Sequence, residues 1–469
     1  MGEYNSPVDV SQCEKLRDFS YYTTSDDTCS CSLLNPDITP AAYWVVNPNN
    51  ILRHNAAAGG THFGFWFRIQ AHPDGPSVTD EYCTNKVPLG VFQNNTAHSF
   101  GWYGIWIFSM DGWFPSDGTR EKGYCDGQNA GMQKNLCLLK NCLQHVIQKY
   151  SVTINRKLSP VTAKLRDFTA WNCERGAEIV FGGQVQFVNF TMLDNEKSGL
   201  DFVEVKGPLG DCNEGPGAVD SLVVGHSAIT ADLSDDLCTH AGYFGPKLYG
   251  ATLCNTHFAN FDREGCAALS MCSQCKAFTA GFPNYVTGLT FENVNLRTKW
   301  KWQHSGAFVD MDGSLTGEAA GSTVLPQAGY FPDKCPDSSS QFSGGVQGAI
   351  CDPTIKIGRV GLNKPSPDSL LFDYLRIDSD HGNDTITWTK KDITHPFGWS
   401  GLFPLADHYT LTWQNYPHLT NISYKLSAFK LEEASDYIVI SHNMNQRPDS
   451  FKVLPTDPQL SINQVWPLT

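Results

Sequence analysis

Short stretches of this chain repeat one another. Ile51-Leu52-Arg53-His54-Asn55-Ala56-Ala57 sets over Val91-Phe92-Gln93-Asn94-Asn95-Thr96-Ala97, and the register runs ungapped to Gly64-Phe65-Trp66-Phe67 over Gly104-Ile105-Trp106-Ile107. Downstream, Phe168-Thr169-Ala170-Trp171-Asn172-Cys173-Glu174-Arg175 sets over Phe190-Thr191-Met192-Leu193-Asp194-Asn195-Glu196-Lys197, a spacing of 22 residues. Weaker echoes follow at Phe258-Ala259-Asn260-Phe261 and Leu289-Thr290-Phe291. Each unit has a short β-branched or aromatic run, then Asn or Asp, then Gly, then another apolar run. Alternating apolar residues make short strands, while Asn and Gly accept the left-handed backbone positions that corners demand.

One such unit cannot bury its own apolar face. Stacking coils about 4.8 Å apart buries a continuous core and pairs each backbone group with a neighbouring coil. The pattern predicts an all-β chain with a right-handed parallel β-helix over 1–345, its repeats legible from Pro40 onward. Asn55 and Asn95 then stack as a side-chain amide ladder. A β-propeller is the rival, but its blades need about 40 residues each, which the 22-residue spacing does not allow. From 346 to 469 the repeat is lost. Strands such as Thr385-Ile386-Thr387-Trp388, Thr410-Leu411-Thr412-Trp413 and Tyr437-Ile438-Val439-Ile440 predict a smaller antiparallel β-sandwich there. Residues 124–159 interrupt the repeat as an insertion, with helical spacing in Leu136-Cys137-Leu138-Leu139.

The net charge of −14 speaks against a phosphate-binding surface and so against nucleic acid. No apolar run reaches the ~18 residues of a membrane span, and Met1 opens no visible signal peptide. Sixteen cysteines form an even set for disulfides, and N-x-S/T sequons stand at Asn94, Asn189, Asn383 and Asn421. Together they favour an oxidising, extracellular setting in which most cysteines are paired. The absent signal then points to a fragment of a longer ectodomain or an incomplete gene model.

The segments Asn47-Pro48-Asn49-Asn50, His54-Asn55-Ala56-Ala57-Ala58-Gly59, Phe63-Gly64-Phe65-Trp66-Phe67, Pro88-Leu89-Gly90 and Asp310-Met311-Asp312-Gly313-Ser314 resemble one family. It is the β-helix family of the fibrocystins and the cell-migration-inducing and cell-surface hyaluronidases. Trp171 through Glu178 and Asn421-Ile422-Ser423-Tyr424 are most similar to its fibrocystin-L branch. The fibrocystin branch implies a very large, single-pass, membrane-anchored surface protein serving adhesion or a cell-surface coat. The hyaluronidase branch implies endo-cleavage of hyaluronan with calcium dependence; otherwise no cofactor is expected. Both branches carry a glycine-rich domain upstream, and none is visible here.

No nucleophile elbow, zinc-binding helix, P-loop or dinucleotide fingerprint occurs. Cys272-x-x-Cys275, with Cys254 and Cys266, has zinc-like spacing, though disulfides suit the setting better. Sugar cleavage needs two carboxyls flanking a glycosidic bond. Asp310 and Asp312, two apart, would face one side of a strand, as a weak catalytic or cation-binding pair or as a solvated strand end. Glu174 and Glu196 fall at equivalent positions, with Arg175 and Lys197 beside them as compensation on a solvated face. His54, His62, His72, His98, His395, His408 and His418 read as surface or corner residues. Trp66 and Trp106 share a register, which predicts stacking in the core rather than a sugar platform, with Trp102 and Trp113 nearby. The preferred reading is a non-catalytic extracellular segment binding matrix or glycan, hyaluronan included, or forming a coat. The alternative is a hyaluronan-degrading endoglycosidase.

Overall fold

The computed structural model describes residues 39–73, 78–79, 82–108, 112–116, 160–205, 210–228, 237–247, 250–273, 282–300, 306–331, 333–336, 345–366, 375–386, 398–413 and 421–429. The insertion at 124–159 lies outside them, as do Tyr437–Ile440, His395 and His418.

Through the first part of the chain, each coil has three sides. Side one begins with Ile51–Arg53, side two with Ala56–Gly60 and side three with Ala41–Val45, followed by Phe63–Phe67. Successive coils pair in parallel: Ile51 over Val91, Ala57 over Ala97, Phe65 over Ile105, then Phe168 over Phe190 and Ala177 over Leu200. Side three is an eight-stranded parallel sheet, and sides one and two belong to a fourteen-stranded one. This is a β-helix; the parallel pairing excludes the propeller. Thr96 pairs directly with Thr169 and Trp106 with Glu178, so the described strands on either side of 124–159 are adjacent in the stack.

The core follows from alternation along the strands. Phe92, Leu165, Phe187, Ala218, Leu253 and Val286 stand one above another inside side one, all within one buried cluster. Inside side three, Phe65, Ile105, Ala177, Leu200, Tyr243 and Leu269 do the same. Beside them runs a glycine file: Gly64, Gly104, Gly176, Gly199 and Gly242. A Cβ on each would lie 2.6–2.8 Å from the carbonyl oxygen of the next coil. That approach is closer than any side chain tolerates, which is why the repeat keeps glycine there.

Two left-handed corners organise the coil. The first is taken by His54, Asn94, Asp167, Asn189, Asp220, Asn255 and Gly288, with φ between 47° and 66°. The second is taken by Gly59, Ser99, Asn172, Asp194, Asn260 and Asn293, with φ between 52° and 68°. Asn, Asp and Gly tolerate this region where most side chains clash. In six of the seven described coils the two corners are five residues apart, as in Asn94 and Ser99 or Asp167 and Asn172; after Asp220 the corresponding Gly225 is not left-handed. Elsewhere the coil length varies. Corner to corner it is 40 residues from His54 to Asn94, 22 from Asp167 to Asn189 and 35 from Asp220 to Asn255. The spacing of 22 is therefore the shortest coil and not a period, because loops of different length leave outside the five-residue link. The echo at Phe258 is corrected accordingly: it stacks through Val223 on Met192, not on Phe190.

The amide ladder forms as expected, with Asn55 Nδ2 donating to Asn95 Oδ1 at 2.9 Å. The first corner makes a longer one. Asn189 Nδ2 donates to Asp167 Oδ1 at 2.7 Å, and Asn255 Nδ2 to Asp220 Oδ1 at 3.0 Å.

The parallel stack ends in antiparallel pairing, Ala307–Asp310 against Ser322–Leu325 and that strand against Ala349–Cys351. Two three-stranded antiparallel sheets follow. One is Gly398–Pro404, Ile357–Ser366 and Asn421–Phe429; the other is Gly382–Ile386, Leu375–Ser379 and Tyr409–Trp413. Leu402 and Phe403 from the first share a buried cluster with Leu375 and Ile377 from the second. Ala307, Val309, Tyr330 and Ala349 join that cluster, so packing is continuous across residue 346. We propose the division at 346 as one between folding units that share this apolar contact.

Disulfides link Cys212 to Cys254, Cys238 to Cys266 and Cys335 to Cys351. Cys83 and Cys272 are also bonded. Cys173 is free and buried, and burial pushes its thiol up to about 11, so it is inert at neutral pH. Replacing both Cys335 and Cys351 with serine is expected to lower stability by about 3 kcal/mol, the closure entropy of a loop of this size. Denaturant titration of the purified variant measures the loss.

Candidate functional site

Asp310 and Asp312 do not share a strand face. The strand ends at Asp310, whose carboxylate turns inward and is fully buried. It accepts hydrogen bonds from Gly313 N at 3.1 Å, Thr316 N at 2.8 Å and Thr316 Oγ1 at 2.7 Å, which close the following turn. Asp312 is exposed in that turn and accepts from Gly288 N at 2.7 Å and Ser314 Oγ at 2.6 Å. Burial works against its carboxylate, but the Ser314 and Gly288 donors prevail and hold its pKa below the ordinary value. Gly288 is the last left-handed rung of the first corner, so Asp312 continues that ladder. The strand-face pairing expected from the sequence fails because a turn intervenes.

A different carboxylate pair is brought together on side three. Ala177 and Ile179 point inward, as do Leu200 and Phe202, so Glu178 and Asp201 point out. They are register partners in adjacent coils, and both are fully buried. Arg175 Nη1 contacts the Glu178 carboxylate and lies 3.7 Å from Asp201 Oδ2. Trp106 Nε1 donates to Glu178 Oε1 at 2.8 Å, and Ser273 Oγ to Asp201 Oδ1 at 2.8 Å. Two acids thus share one guanidinium. Burial first, and the Glu178 charge second, drive the Asp201 pKa well above the ordinary value. Burial alone would lower the Arg175 pKa; the Glu178 and Asp201 charges overcome it and hold that pKa above its usual range. Tyr103, its ring beneath the guanidinium, is raised by burial and then by Glu178.

Arg175 therefore does not compensate a solvated face as its sequence position suggested. Lys197 pairs with Glu174 at 2.6 Å instead, because the register slips by one residue at this corner. Glu174 and Glu196 are consequently not stacked. The signal in the sequence was an acid between apolar residues, next to last in each of the two strands Arg175–Ile179 and Ser198–Phe202. Chemically, two neighbouring carboxyls sharing one guanidinium suit acid–base work. Here each is closed to solvent and packed against its own chain.

Trp66 and Trp106 stack as their shared register predicts, but on the outer face of side three and not in the main core. Trp66 stacks on Trp106 at 5.5 Å and on Trp44 at 4.8 Å, and with Phe63 and Tyr103 they form a separate buried cluster outside side three. The ring faces occupy one another, which makes this packing and not a sugar platform. Trp102 lies edge-on to Phe63, and Trp113 is buried in the interior. Among the histidines, His54 is a corner rung 2.6 Å from Asn94 Nδ2, forming a ladder the sequence did not reveal. His98 stacks on Trp171, and His62 contacts Thr61. Among the described residues, no three His, Cys, Asp or Glu side chains gather as metal ligands. Cys254 and Cys266 are each disulfide-bonded to residues outside the zinc-like set, so that spacing holds no zinc site. Among the described residues, no helix is long and apolar enough to cross a membrane.

Of the sequons, Asn94 and Asn189 are exposed on the first corner. Asn383 is exposed in the strand Gly382–Ile386, and Asn421 begins the strand Asn421–Phe429.

A family model described as the CEMIP beta-helix matches residues 8–105. Fibrocystin-L of Mus musculus is 39% identical over 432 residues, which is 91% of this chain and 9% of that protein. Fibrocystin-L of Homo sapiens is 38% identical over the same share of each. The cell migration-inducing and hyaluronan-binding protein of Mus musculus is 47% identical over 62 residues, 13% of this chain and 4% of that protein. The chain thus spans about a tenth of the length of the fibrocystin-L relatives it matches.

Proposed function

Starting from a chain similar to fibrocystin-L over 91% of its residues, we propose that it is a non-catalytic extracellular segment of a fibrocystin-L-like, membrane-anchored surface protein. Its task is to bind matrix or glycan or to build a cell-surface coat. The observation that carries this reading is the state of the acids. Asp310, Asp312, Glu178 and Asp201 are all engaged by their own chain in turn closure, corner stacking or a buried ion cluster. Disulfides support the extracellular setting, since they persist in oxidising compartments. The net charge of −14 repels a polyanion and so favours a neutral or basic partner over hyaluronan.

The second reading, cleavage of hyaluronan, is favoured by one observation: Glu178 and Asp201 in register beside Arg175. Incubating the purified chain with high-molecular-weight hyaluronan, with and without calcium, at neutral and mildly acidic pH, tests both. The expected result is an unchanged hyaluronan size distribution. Depolymerisation that disappears in Glu178→Gln, with the fold retained by circular dichroism, would replace the first reading with the second.

A further inference from the structure

The two exposed sequons of the β-helix share one edge. Asn94 and Asn189 both occupy the first left-handed corner, with φ of 55° and 56°. Asp167 is the rung between them, so the two asparagines are two strand spacings apart, about 10 Å. The residue after each sequon asparagine points inward: Asn95 and Phe190 are both fully buried. Alternation therefore turns each asparagine outward, and Thr96 and Thr191 lie partly exposed on side two.

We propose that Asn94 and Asn189 carry N-linked oligosaccharides, making this corner a sugar-bearing edge. In a coil of three sides, the corner between sides one and two is the one that side three does not touch. Side three has no sequon in any of its strands. The sugars therefore stand opposite the face that carries the Glu178–Asp201–Arg175 cluster, and that face stays free of glycan. In the transfer, Asn Nδ2 attacks C1 of a lipid-pyrophosphate-linked oligosaccharide. The Nδ2–C1 bond forms, the C1–oxygen bond breaks, the lipid pyrophosphate leaves with the electron pair, and Nδ2 gives up one proton.

The ladder tolerates the change. Asn189 Nδ2 spends one N–H on Asp167 Oδ1 at 2.7 Å, and Asn94 Nδ2 makes a single side-chain contact, to His54 Nδ1 at 2.6 Å. An unmodified amide nitrogen has two hydrogens and a glycosylated one keeps one. Rung and sugar can therefore coexist, and the outward corner leaves room for the oligosaccharide after folding.

The full chain, secreted from a mammalian host, tests this by peptide mass spectrometry after enzymatic glycan release in heavy-oxygen water. Labelled conversion to aspartate at both positions is expected. Thr96→Ala and Thr191→Ala keep the corner residue but remove the sequon, and each should lose one glycan from the intact mass. Thr96→Ser and Thr191→Ser should keep it. Unmodified Asn94 or Asn189 peptides from folded, secreted protein would overturn the proposal, even if an alanine variant fails to fold. The outcome is independent of the hyaluronan assay, because a glycosylated edge is compatible with either result there.

Discussion

Replacing Arg175 with methionine is expected to destabilise the β-helix by about 3–5 kcal/mol, the typical cost of leaving a buried charge without its partner. Glu178 and Asp201 would then face each other across adjacent coils with Trp106 Nε1 and Ser273 Oγ as donors but no cation. Asp201→Asn should act in the opposite sense at neutral pH. Burial and the Glu178 charge raise the Asp201 pKa in the folded protein. A raised carboxylate pKa means the folded state binds a proton that the unfolded state has released. The resulting penalty is absent below the ordinary carboxylate range and grows as pH rises toward the folded-state value. Asparagine removes that penalty while its amide still accepts from Ser273 and donates to Glu178. Thermal unfolding across a pH series should show Asp201→Asn more stable than wild type at neutral pH, with the gain vanishing in acid. A gain independent of pH would refute this account of the cluster.

Phe168→Ala is expected to cost about 3–5 kcal/mol through cavity formation in a close-packed interior. The ring is fully buried and meets Phe65 at 5.9 Å, Phe92 at 5.6 Å and Phe190 at 5.3 Å. Its loss opens a void that touches several coils at once, and the backbone ladder to the coils on either side fixes their separation, so collapse around the void is limited. Denaturant titration gives the loss directly, and poor secretion should accompany it. A change below 1 kcal/mol would mean that the coils can close over the gap, contrary to the packing described (a loss that small is usual for volume-conserving core swaps).

Pairing of residues 51–67 with 91–107, and of Phe168 with Phe190, was legible because those stretches repeat without gaps and alternate apolar with polar residues. Asn55 over Asn95 was legible for the same reason. The recurring link, five residues between left-handed corners in six of the seven described coils, was hidden because Asn, Asp, Ser, His and Gly all fill those places. A left-handed backbone asks for permissive residues and not for one residue type. Loops of unequal length then disguised the spacing of the coils. At Asp310 the sequence misled because alternation was carried past the end of a strand. At Arg175 it misled because a one-residue slip at the corner gives Glu174 to Lys197, while Arg175 pairs with Glu178 and Asp201. Glu178 and Asp201 went unread because charge inside an apolar strand looks like an ordinary outward residue until the adjacent coil is placed.

The fixed link between the corners makes side two a ruler. Ala56, Thr96, Thr169, Thr191, Leu222, His257 and Thr290 stand in one file, each directly over the next. Whatever length of loop intervenes in the sequence, the outward groups recur at a pitch of about 4.8 Å. A partner that reads this wall meets evenly graduated marks, and each mark can be rewritten without moving its neighbours.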